Sequence, residues 1–197
     1  MSRKGLDTET VVKVAAEITD ELGFDKVTLK EISERLGVRS PSLYNHIDNL
    51  SDLKEMVSTY AMELARDNLV KATRGRTGID ALKEMGRCYI RFAREHAGLY
   101  ETIQWMNINS GVERDSLFSE VVQLVCDIAE GVGTTELEAS HIIRTVRSLA
   151  HGFASVESHH GFSHPSSVES SYEYALDMFF YGIKVSQEKE SREASSV

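Results

Sequence analysis

Residues 36–50 read LGVRSPSLYNHIDNL and gather Arg39, Ser40, Ser42, Tyr44, Asn45 and His46 around Pro41, one of two prolines in the chain. None of these stands beside a partner at catalytic spacing. The chain carries no nucleophile elbow, phosphate loop or paired-carboxylate motif either, so these residues point to recognition and not to a reaction. A guanidinium such as that of Arg39 offers two parallel N–H donors to guanine, and the amide of Asn45 both donates to and accepts from adenine. Tyr44, His46 and the hydroxyl of Thr28 suit phosphate oxygens.

Such side chains need a short, rigid element to present them. Ser40 followed by Pro41 reads as an N-cap and first helical residue, and a helix to about Ile47 turns Leu43 and Ile47 inward and the polar residues outward. The preceding segment reads as another short helix. Thr28 caps it, Glu31 completes a Thr-x-x-Glu box, Leu29, Ile32 and Leu36 face inward, and Gly37 ends it. Two short capped helices joined by Gly37-Val38-Arg39 form a helix-turn-helix pattern. Ahead of them, Thr8 to Leu22 forms an amphipathic helix with Val11, Val12, Ala15, Ile18 and Leu22 as its stripe and Gly23 as a left-handed cap. After them, Ser51 caps a long connector from Asp52 to about Ala72. The helical period continues at about 79–96, 99–106, 114–130, 135–158 and 166–188, with no alternating strand-like runs, so the expected fold class is all-α.

Residues 8–56, centred on TLKEISERLGVRSPSLYNHIDNLSDL, resemble the DNA-binding domain of the tetracycline-repressor (TetR) family. The resemblance implies that Lys30 reads a base, that Arg39, Ser40, Pro41, Ser42 and Asn45 shape specificity, and that Tyr44 and His46 contact phosphates. One departure stands out. The family usually opens its fourth helix with a lysine where this chain has Leu50, and Lys54, one turn later, replaces that phosphate contact only in part. The stretch RTVRSLAHGFASVESHHGF is similar to a subfamily whose eighth helix carries a His-Gly pair, here His151-Gly152.

The expected organisation is a helix-turn-helix DNA-binding domain at 1–55, a helical ligand-binding and dimerisation domain at 56–190 joined through the fourth helix, and a flexible tail at 191–197. One short reading helix contacts too little DNA for specific binding, and such modules commonly pair to read half-sites about 34–36 Å apart. The last two helices carry more apolar surface than one partner needs, which makes Val146, Leu149, Phe153, Tyr174, Met178 and Phe179 candidates for a homodimer contact; the family forms a four-helix bundle there. Met85, Tyr89, Phe92, Tyr100, Trp105, Met106 and Phe118 fill a core or line a pocket, and the resemblance implies an effector cavity among these helices, with His151 packing closely or hydrogen-bonding there. The partners expected are therefore operator DNA, a second copy and a small, largely apolar effector that releases a repressor from its operator.

The remaining composition narrows the alternatives. A net charge of −9 excludes a broadly basic surface, yet residues 26–46 carry Lys26, Lys30, Arg35 and Arg39 against Glu31 and Glu34, a local net of +2. Cys88 and Cys126 lack CxxC spacing and read as buried free thiols. His141, His151, His159, His160 and His164 have no carboxylate or cysteine at ligand spacing, so neither a metal nor another cofactor is expected. No apolar run reaches the length of a membrane span, and the expected location is cytoplasmic.

Overall fold

The structure, a computed structural model, describes residues 6–109, 116–129, 132, 135–163 and 166–194. Among the described residues the regular structure is helical: α1 (Thr8–Leu22), α2 (Leu29–Leu36), α3 (Leu50–Thr73), α4 (Gly78–Glu95), α5 (Ala97–Asn109), α6 (Ser116–Ala129), α7 (Glu136–Ser158) and α8 (Val168–Ala194), with 3-10 turns at Phe24–Lys26 and Ser40–Asn45. None is long and apolar enough to cross a membrane.

The chain divides into two compact units. One comprises the chain to Asn68 with Phe92–Glu120, and the other Leu69–Arg91 with the chain from Val121. The first unit therefore extends beyond residue 55 and takes in α5, which packs on α1. At the other end, α8 continues to Ala194, so residues 191–194, expected in the tail, are helix.

In the first unit, local signals set most boundaries. Asp7 accepts from the Thr10 amide (2.8 Å) to start α1, and Thr28 Oγ1 accepts from the Glu31 amide (3.2 Å) to start α2. Gly37 closes α2 in the left-handed region (φ 65, ψ 31), which only glycine adopts without strain. Gly23 also has positive φ but lies outside that region (φ 96, ψ 152), so the expected left-handed cap is replaced by a different glycine turn. Val11, Ala15, Ile18, Val27, Ile32, Leu43 and Leu53 are fully buried, whereas Leu22, expected in the stripe, is half exposed. The cap of α3 is Asn49, whose Oδ1 accepts from the Asp52 amide (3.0 Å), and not Ser51.

In the second unit, Leu82, Ile90, Val146, Ala150, Tyr172 and Leu176 form the core. Lys83 pairs with Asp177, and Arg87 grips Glu173 with two donors, tying α4 to α8. Cys88 is buried as expected, but Cys126 is exposed. The hydroxyl of the fully buried Tyr172 has no hydrogen-bond partner among the described residues, and it lies against Gly86, where a Cβ would approach it to 1.5 Å. Burial first, then the Glu173 carboxylate, push this phenol above the ordinary tyrosine range. In the unfolded chain the phenol ionises near pH 10, so the unfolded state loses its proton first and stability falls as pH rises past about 10. Tyr172→Phe removes the unsatisfied oxygen. Chemical denaturation is expected to find it unchanged or stabler by up to about 1 kcal/mol at neutral pH, with a shallower alkaline decline.

Candidate nucleic-acid interface

The reading segment is tighter than an ordinary helix. Ser42 N–H donates to the Arg39 carbonyl (2.8 Å) and His46 N–H to the Leu43 carbonyl (2.9 Å), the i→i+3 pattern of a 3-10 turn. Its N-cap is Arg39, and Ser40 makes no cap bond. The Ser40 hydroxyl turns instead to α2. Ser33 Oγ donates to the Lys30 carbonyl (2.9 Å) and lies 2.8 Å from Ser40 Oγ; because Ser33 has a single hydroxyl proton, Ser40 is the donor between them. Ser40 thus fixes the second element of the motif against the first. The far end of the segment is held by Thr8 Oγ1, which donates to the His46 carbonyl (3.2 Å).

Leu43 and Ile47 anchor the segment in the core. Arg39, Pro41, Tyr44 and Asn45 are exposed, and Ser42 and His46 are half-buried. Tyr44 projects well into solvent, at 57% exposure, and so does not serve as a core plug. Arg39 has no ion pair among the described residues, which leaves its whole fork available. Arg35 contrasts with it, because Glu21 (2.7 Å) and Glu31 (3.3 Å) hold it and raise its pKa, the Glu21 hydrogen bond acting most strongly. Lys30 is open to solvent and only loosely paired with Glu34 at 3.9 Å. Thr28 is exposed with its oxygen engaged as the α2 cap. Lys54 rests 4.8 Å over the Phe24 ring, so its ammonium already has a partner, and Leu50 opens α3 with no charge to offer.

The other candidates separate. Met85 is buried in the second unit, where Tyr89 Oη lies 3.3 Å from Nδ1 of the exposed His151. Phe92 and Tyr100 are buried in the first unit. The side chains of Trp105, Met106 and Phe118 lie outside the described residues. A Cβ on Gly152 would meet nothing within 4 Å among the described residues, so close packing there does not explain this glycine. Among the dimer candidates, Val146 is fully buried in its own unit and has no surface for a partner. Helical spacing alone could not separate the two apolar sides of α7. Leu149 is half-buried; Phe153 packs on Phe162 and Tyr172, and Phe179 on Phe180. Tyr174 and Met178 are exposed, and Tyr181 and Val185, absent from the expected set, continue their stripe along α8.

A family model described as "Tetracyclin repressor-like, C-terminal domain" matches residues 82–179. The chain is 29% identical over 187 residues to the HTH-type transcriptional regulator YobS of Bacillus subtilis, covering 93% of this chain and 95% of the relative. The family-model match and the whole-chain relative both support the resemblance to the TetR family. The relatives the chain matches are named as transcriptional regulators and not as enzymes. Its fold is shared with a protein from Rhodococcus sp. RHA1 (TM-score 0.74, 18% identity, 91% of this chain and 96% of that one). It is shared also with BioQ, solved with its double-stranded DNA operator (TM-score 0.59, 20% identity, 90% of this chain and 98% of that one).

Proposed function

We propose that this chain is a cytoplasmic transcriptional regulator that binds operator DNA as a homodimer and acts as a repressor released by a small, largely apolar molecule. One observation carries the DNA-binding part: a short segment anchored by Leu43 and Ile47 turns Arg39, Tyr44 and Asn45 to solvent, with Lys30 exposed on the helix before it. In this reading Arg39, Ser42 and Asn45 face base edges, Lys30 adds a base contact from α2, Tyr44, His46 and Thr28 hold phosphates, and Ser40 and Pro41 set the pose. Lys54 contributes less, since it is drawn toward Phe24. Residues 1–55 carry DNA binding and 56–190 carry effector binding and dimerisation. The His151-Gly152 pair supports placing the chain in the subfamily with that pair, with Met85 and the Tyr89–His151 contact as its effector-side residues.

Dimerisation is supported by the stripe of Tyr174, Met178, Tyr181 and Val185 on the exposed side of α8, and by Gly182 beside it, where a Cβ would meet nothing within 4 Å among the described residues. Large apolar side chains in solvent and a helix glycine without a packing reason are both explained by a second copy lying close.

Binding to DNA fragments from upstream of the chain's own gene, at two salt concentrations, tests the reading. Selective binding whose log K falls with log salt by about 0.9 per phosphate contact is the expected result. Arg39→Ala is expected to cost about 1–3 kcal/mol on the preferred fragment and to relax one base position, measured by competition with single-substituted duplexes. An equal loss on every sequence would make Arg39 a phosphate contact. Absence of selective binding by the wild-type protein would end the DNA-binding reading.

A further inference from the structure

The two ends of α1 hold two different places in the first unit. At its start, Thr8 Oγ1 donates to the His46 carbonyl (3.2 Å), at the end of the reading segment. In its last turn, Asp20 reaches the corner between α4 and α5. His96 forms that corner: its amide donates to the Phe92 carbonyl (2.8 Å) to finish α4, and its carbonyl accepts from the Tyr100 amide (2.8 Å) to begin α5. The Asp20 carboxylate takes two polar groups of the corner. Oδ1 accepts from the Leu99 amide (2.9 Å), the bond an N-cap side chain ordinarily makes, and Oδ2 lies 2.7 Å from His96 Nδ1. The α5 cap is thus supplied by a residue 79 positions away in the chain.

Nothing cushions this contact. Gly98 lies directly on the α1 backbone, where a Cβ would stand 1.9 Å from the Thr19 carbonyl oxygen, and Thr19 is itself fully buried. The far side of the His96 ring meets Phe92, with centroids 5.2 Å apart. Between Thr8 and Asp20 runs one unbroken helix, about 18 Å of rigid backbone at 1.5 Å per residue. Its last turn is also tied to α2 through Glu21 and Arg35 (2.7 Å).

We propose that Asp20 is a positioning residue that latches the α4–α5 corner to α1, so that a rearrangement of residues 92–109 reaches the reading segment through α1 used as a lever. This inference rests on the DNA-binding reading only for its consequence at DNA. The mechanical coupling is testable without it.

The test uses the full-length protein in four forms: wild type, Asp20→Ala, His96→Ala and His96→Asn, the last restoring a side-chain N–H where Nδ1 stood. Amide hydrogen exchange is read at Leu99 and across 29–47. Asp20→Ala is expected to speed exchange at Leu99 about tenfold or more, as loss of a charge-assisted bond to a backbone amide does. It is also expected to change exchange within 29–47 severalfold, and to shift affinity for the upstream DNA by about fivefold or more at a temperature where the variant is fully folded. His96→Ala is expected to give a smaller change of the same pattern and His96→Asn to reverse most of it. Should Asp20→Ala unfold, the His96 pair decides the question alone. Faster exchange confined to α5, with 29–47 unchanged, would overturn the proposal and leave a merely structural cap. If the wild type binds no upstream DNA while 29–47 still responds, the latch stands and the DNA-binding reading falls.

Discussion

Gly98→Ala is expected to destabilise the protein by about 3 kcal/mol, seen as a fall of roughly 6–12 °C in the thermal midpoint for a chain of this size. The added Cβ would lie 1.9 Å from the Thr19 oxygen, 2.6 Å from its carbonyl carbon and 3.0 Å from the Asp20 Cα. All three atoms are backbone, so no rotamer change relieves the overlap. The Thr19 carbonyl cannot swing aside cheaply either, because it accepts the Gly23 amide (3.0 Å) that closes α1. Relief requires α5 to lift from α1, which strains both bonds to Asp20. Gly152→Ala is the control: it enters open space, and a helix-interior glycine replaced by alanine gains up to about 1 kcal/mol. Measured by denaturant titration, the two substitutions are expected to move stability in opposite directions. Equal effects would mean that α5 does not approach α1 as closely as described.

The second large effect is on assembly. On the proposed reading of a DNA-binding homodimer, Met178→Glu with Tyr181→Glu is expected to yield monomers in sedimentation and to weaken operator binding by about a hundredfold or more, while far-UV circular dichroism stays that of the wild type. Both residues are mostly solvent-exposed in the single chain, at 52% and 66%, so neither helps to hold its own unit. With Tyr174 and Val185 they recur at helical spacing on the side of α8 away from Tyr172, Leu176 and Phe180, which are buried. In an isologous contact each substitution appears twice, and four carboxylates would be desolvated near one axis. A single reading head then retains only half the contacts. Phe179→Glu is a poorer probe, because Phe179 is half-buried against Phe180 and its loss would damage the subunit as well. A double variant that stays dimeric would place the interface elsewhere.

Local signals were legible in the sequence wherever the partner lay within a few residues. The span of α1, the Thr28 cap and the left-handed Gly37 follow from neighbours three or four positions away. The Ser40-Pro41 pair misled because an N-cap serine and a serine that bonds across a turn look identical in a string of letters; Ser33, seven positions back, decided between them. Ser51 lost to Asn49 by two positions, because the Asn49 amide oxygen reaches the Asp52 amide three residues on. Gly98 falls in the gap expected between the helices at 79–96 and 99–106, and nothing in its vicinity reveals that Thr19 presses on it or that Asp20 caps α5. The exposure of Arg39, Tyr44 and Asn45 was legible because polar types on a buried-Leu, buried-Ile frame need no distant information. Which side of α7 is buried in its own unit did depend on distant contacts, and Val146 fell on that side.

The i→i+3 winding of Ser40–Asn45 bears on the spelling of the half-site. With three residues per turn, side chains stack in columns, Ser42 above Asn45 and Pro41 above Tyr44, with about 6 Å between successive members of a column. A duplex climbs about 3.4 Å per rung, so neighbours in one column fall opposite every second rung. On the DNA-binding reading, the operator alphabet is then strict and tolerant by turns, with stringent letters separated by a forgiving one.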